Sequence, residues 1–99
     1  MFILKTDKQD YAVKFYHQRN EQGSVVGTIC VLKSGTPGTS PKAMTVLAEG
    51  KTVRSQKDQP DKNKGRKIAL ERALQKAIPK TQRLAFWEAY RSKRNGKLD

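Results

Sequence analysis

The chain has one cysteine, one histidine and one tryptophan in 99 residues. A lone Cys30 closes no internal disulfide, and no Cys/His spacing suits zinc. His17 is the only imidazole, so a histidine-paired nucleophile requires Cys30 or a serine to meet it in space. Cys30 sits in an apolar run, where a small buried hydrophobe is the expectation rather than a reactive thiolate. There is no glycine-rich phosphate loop and no paired-carboxylate motif; Asp58 and Asp61 stand close together among cations, where helix capping accounts for them. The expectation is a protein that is not an enzyme, with no catalytic residue, metal or cofactor.

Long apolar runs are also missing. Nothing approaches the ~20 apolar residues of a membrane span, and no N-terminal run resembles a secretion signal. The expected setting is therefore reducing and cytoplasmic, with no membrane partner. Only 35% of positions are hydrophobic, enough for one domain over residues 1–99.

Acidic residues are scarce. Twenty-one Lys and Arg face nine Asp and Glu, a formal net charge of +12. Residues 1–50 contribute +2 of this and residues 51–97 contribute +11, with Asp99 subtracting one. A one-sided positive field attracts polyanions, because each neutralised phosphate releases condensed counterions.

The hydrophobic pattern separates a β-rich segment, 1–55, from a helical and strongly basic one, 58–97. Tyr11, Val13 and Phe15 alternate with Lys14 and Tyr16, the period of a half-buried strand. Phe2–Leu4 reads as an edge strand, Lys5–Asp10 as a turn, and Asn20-Glu21-Gln22-Gly23 as a second turn. Ser24–Lys33 is apolar on both faces, as in a central strand covered on more than one side. Ser34–Pro41 is a loop by composition. Residues 43–55 are one bent strand or a second hairpin, with Glu49-Gly50 as a tight turn or bulge. Gly65–Ile78 carries apolar residues at 70, 73, 74, 77 and 78, the spacing of one helical face, and Pro79 ends it. Asp58 or Asp61 is available as its N-cap. Pro79 or Thr81 opens a second helix where Leu84, Phe86, Trp87 and Tyr90 give about two turns of apolar surface, Phe86, Trp87 and Tyr90 holding it down, with Asn95-Gly96 as its C-cap. The predicted fold class is α+β: an antiparallel β-meander of three to five strands followed by two C-terminal helices.

Within the basic half, Lys62-Asn63-Lys64-Gly65-Arg66-Lys67 places four cations in or near a first helical turn. Each one close to the helix start opposes the macrodipole by ~0.3–1 kcal/mol, where folding alone favours acids. A bound phosphate reverses that sign. The expected function is non-enzymatic nucleic-acid binding, to DNA or RNA and chiefly to duplex. Lys57, Lys62, Lys64, Arg66, Lys67 and Arg72 are expected to grip phosphates, and Tyr16, pointing away from the core, to stack on a base.

The segment Asn63-Lys64-Gly65-Arg66-Lys67-Ile68-Ala69-Leu70-Glu71-Arg72-Ala73-Leu74 resembles the closing helix of double-stranded-RNA-binding domains. That resemblance implies that Lys64, Arg66 and Lys67 sit on phosphates across a groove. Strands followed by a basic helix are similar in plan to the small DNA-binding domains of phage and transposon integrases. Residues 44–78, with Gln56-Lys57-Asp58 and then Gly-Arg-Lys-Ile-Ala-Leu-Glu-Arg-Ala-Leu, look like small uncharacterised bacteriophage proteins. This implies a viral or mobile-element protein acting in a bacterial host cell. It also frames the alternative function: an inhibitor or adaptor whose basic face binds a host protein or nucleoprotein, such as a defence nuclease. A homodimer through an edge strand or the second helix is a further option.

Overall fold

A computed structural model describes residues 2–53 and 62–94. Four strands, β1 (Phe2–Lys5), β2 (Asp10–Arg19), β3 (Val25–Gly35) and β4 (Thr45–Val53), precede two helices, α1 (Lys62–Ala77) and α2 (Arg83–Arg94). All pairings are antiparallel and the sheet order is β1-β2-β3-β4, so each strand pairs only with its neighbours in sequence. The α+β meander expected from the patterning is the fold, with four strands.

The alternation of β2 dictates which face is covered. Tyr11, Val13 and Phe15 are buried on the helix side, while Lys14 and Tyr16 are exposed on the other. Opposite them, Cys30 and Leu32 of β3 join the same core as Ala69, Leu70, Ala73 and Leu74 of α1. Burying side chains such as Leu70 and Leu74 contributes ~1.5–3 kcal/mol each. Helix α2 lies by β1: Phe86 and Tyr90, four residues apart on one helical face, are buried there. Phe86 meets Tyr11 edge-on at 4.9 Å between ring centroids, and Tyr90 meets Phe15 at 6.0 Å in the same manner. Trp87 is half-buried against Tyr90, and Leu84, part of the expected apolar surface of this helix, is 60% exposed. Its position is one residue off the Phe86–Tyr90 stripe.

Several local expectations are corrected. Residues 45–53 form one strand and not a hairpin, and its irregularity falls between Ala48 and Val46, at Leu47, rather than at Glu49-Gly50. Gly50 is a regular strand position where α1 crosses: a Cβ there would collide with the Ala69 carbonyl oxygen and lie 2.5 Å from the Ala73 nitrogen. Glycine is present for helix–sheet contact and not for a turn. Strand β3 is interior; on the face away from the helices the β3–β4 connection covers its Gly35 end, where Thr39 and Met44 sit, while Ile29 and Val31 are half-buried. Asp10 begins β2 instead of ending a turn, and its buried carboxylate accepts the Gly38 N–H at 3.0 Å, tying down the β3–β4 connection. A short 3-10 turn, Lys80–Gln82, intervenes between Pro79 and α2. The expected caps at Asp58, Asp61 and Asn95-Gly96 lie outside the described residues.

Candidate nucleic-acid interface

Helix α1 begins at Lys62, so the cations at 62, 64, 66 and 67 fall in its first two turns, and its first turn holds no acid. Gly65 seats that end on the sheet. A Cβ at Gly65 would lie 2.5 Å from Thr28 Oγ1 and in ordinary contact with Thr52 Cγ2, so a larger residue requires Thr28, the partner of His17, or the helix start to shift. Lys64 and Lys67 are exposed beside this contact, and Arg66 is half-buried.

His17 shapes the Arg66 site. It continues the inward series Tyr11, Val13, Phe15, and parity alone puts it on the helix face. Its Nδ1 lies 3.1 Å from Thr28 Oγ1, and its Nε2 lies 3.5 Å from an Arg66 terminal nitrogen. Guanidinium can only donate, so in the Arg66 contact Nε2 is the acceptor, and His17 presents a lone pair that helps to orient Arg66. In the sequence His17 stands out only as the lone imidazole, and its parity in β2 is the signal for this contact.

Two other cations of α1 are engaged by the sheet. Arg72 donates to the Lys51 carbonyl and Lys76 donates to the Glu49 carbonyl at 2.7 Å, both on the outer side of edge strand β4. The predicted phosphate ligand Arg72 is thus tethered to backbone.

Tyr16 stands apart from this cluster. It is 46% exposed on the face opposite α1, with Lys14 Nζ 5.0 Å from its ring centroid. The fold therefore brings Lys64, Arg66 and Lys67 together at one helix end. It leaves Arg72 along the β4 edge and Tyr16 across the sheet. The side chain of Lys62 and all of Lys57 lie outside the described residues. Lys33 and Lys51, which share Tyr16's face, carry no sequence signal that groups them with it, because only the strand register does so.

Cys30 is buried, and loss of hydration pushes its thiol up to about 12, so it is protonated at neutral pH. Among the described residues no group of three or more His, Cys, Asp or Glu side chains could hold a metal ion. No helix among them is long and apolar enough to cross a membrane. An open depression of about 600 Å³ lies between the β1–β2 turn and α2, lined by Leu4, Gln9, Tyr11, Leu84 and Phe86. It sits at the other end of the strands from the α1 start.

The chain matches no protein-family model, no curated protein and no solved structure. The arrangement is that of a small α+β domain with a cationic helix end and an open sheet face.

Proposed function

We propose that this chain is a non-enzymatic nucleic-acid-binding protein that grips phosphates with the basic surface of α1. The observation that carries this reading is the charge of that helix: Lys62, Lys64, Arg66, Lys67, Arg72 and Lys76 against Glu71 alone, with no acid in the first turn. For folding, this is the unfavourable sense of the helix dipole. Phosphate oxygens at the same place carry the sign the helix dipole favours and pair with Lys64, Lys67 and the oriented Arg66. Lys57 and Lys62 extend the same basic stretch in sequence, and Arg72 contributes through the field of the helix. Such contacts position a backbone and carry no base code, so they serve DNA and RNA alike. The cytoplasm of a bacterial host is the compartment that this reading assigns.

Fluorescence anisotropy with labelled oligonucleotides at 50 and 200 mM salt tests it. Three phosphate contacts imply a slope of about −2.7 in log affinity against log salt, which is a loss of roughly 40-fold over that range. The double variant Lys64→Glu/Lys67→Glu is expected to abolish most of the binding and flatten the slope. Absence of binding at 50 mM salt to single or double strands overturns the proposal. A host protein captured equally well before and after nuclease treatment, with no oligonucleotide binding, supports the inhibitor instead.

A further inference from the structure

We infer that the open face of the sheet is a platform for single-stranded nucleic acid, with a base stacked on Tyr16 and phosphates met by Lys14, Lys33 and Lys51. This rests on the nucleic-acid reading above and adds to it a substrate class and a second surface. The strand register assembles the platform. Tyr16 faces Ile29, which faces Lys51; in the next row Lys14 faces Val31; in the row beyond, Ala12 faces Lys33. Strand spacing puts Tyr16 and Lys51 roughly 10 Å apart across the sheet. The centre is aliphatic, with Ile29 and Val31 half-buried, and the aromatic ring of Tyr16 beside it is 46% exposed. An outer sheet face kept only for solvation has no need of that ring.

Charge decides the occupant. Lys14, Lys33 and Lys51 surround the apolar centre, with Glu49 opposite Val31 as the exposed acid; Asp10, on the same face, is buried and bonded to the Gly38 N–H. A second copy packed face to face would set lysines against lysines over this surface, which is unfavourable in a desolvated contact. A polyanion with apolar rings is complementary to both parts at once. A single strand has that chemistry, since its unstacked bases offer π-faces and its backbone offers phosphates. A duplex buries the same π-faces in its own stack and must flip a base to use the ring. Lys14 Nζ lies over the Tyr16 ring, 5.0 Å from its centroid, so an incoming base takes that place and the flexible lysine swings aside to the phosphate next to it.

The test uses the full chain with a fluorescein-labelled thymidine 20-mer and a duplex of equal length at 50 mM salt. Tyr16→Ala is expected to weaken single-strand binding about ten- to a hundred-fold while changing duplex binding less than twofold. Tyr16→Phe keeps the ring and should keep the affinity. Lys33→Glu/Lys51→Glu should likewise weaken the single strand more than the duplex. Thermal unfolding of each variant reports that the sheet is intact. If folded Tyr16→Ala binds the 20-mer as well as the parent, or loses both ligands equally, the platform is refuted while the phosphate-gripping helix stands. Binding of neither oligonucleotide refutes both. A dimer in sedimentation that Tyr16→Ala dissociates gives the face to a second copy and overturns the inference.

Discussion

Replacing Gly50 by alanine should unfold this protein more readily, although the same change in an open strand is neutral or stabilising. Ordinarily the added methyl restricts the unfolded chain and contributes ~0.4–1 kcal/mol of stability. Here the new Cβ would overlap the Ala69 carbonyl oxygen and come within 2.5 Å of the Ala73 nitrogen. Both obstacles are backbone of α1, so no side-chain rotation relieves them. The helix must move outward, opening gaps around Ala69, Leu70, Ala73 and Leu74, each of them 0% exposed. Overpacking a well-filled core costs ~1–3 kcal/mol, and a backbone collision belongs at or above the top of that range. For a domain of this size ~3 kcal/mol lowers Tm by roughly 12–24 °C. Thermal unfolding by circular dichroism, with urea midpoints at unchanged slope, measures it. A Gly50→Ala protein melting within ~2 °C of the parent would show that α1 does not rest on β4 at this height, and the placement of Arg66 over His17 would fall with it.

Other outcomes follow from single side chains. The Tyr90 hydroxyl is buried with no hydrogen-bond partner among the described residues, so Tyr90→Phe should leave Tm unchanged or raise it by the equivalent of ~1 kcal/mol; a drop would reveal a missing partner. Native Cys30 should resist a thiol reagent at pH 8 and react once urea unfolds the chain. Because its folded pKa is raised from 9.0 to about 12, its contribution to stability is complete below pH 9 and declines as pH rises toward 12; Cys30→Ala should remove that part of the alkaline loss in urea titrations. Arg72→Ala/Lys76→Ala uncovers the β4 carbonyls and should lower stability by ~1–2 kcal/mol and increase concentration-dependent association in sedimentation.

Much of the fold was legible because period and composition carry it. The alternation of Tyr11, Val13 and Phe15 and the helical spacing of Leu70, Ala73 and Leu74 specify their own buried faces. What pattern could not convey was contact between elements. Gly50 reads as a turn residue unless one knows that α1 crosses there. Leu84 reads as one apolar surface with Phe86, Trp87 and Tyr90 until the Phe86–Tyr90 stripe defines the buried face of α2. In the site, Lys64, Arg66 and Lys67 were legible together since neighbours on one helix stay together. Their relation to His17, the tethering of Arg72 and the grouping of Tyr16 with Lys33 and Lys51 depend on register and packing across about 20 to 50 positions, which local sequence does not encode.

The neighbour-only strand order has a consequence for how the chain matures during synthesis. Every pairing of the sheet can close as soon as the next strand is made, so β1 to β4 can assemble by short-range steps alone. The apolar face they create, with Val13, Phe15, Cys30 and Leu32, has no cover until α1 emerges after residue 62. At a translation rate of about 5–20 residues per second, the helices follow β4 only seconds later. A chain cut after residue 53 would keep all four strands and none of their cover, and is expected to aggregate where the full chain stays dispersed.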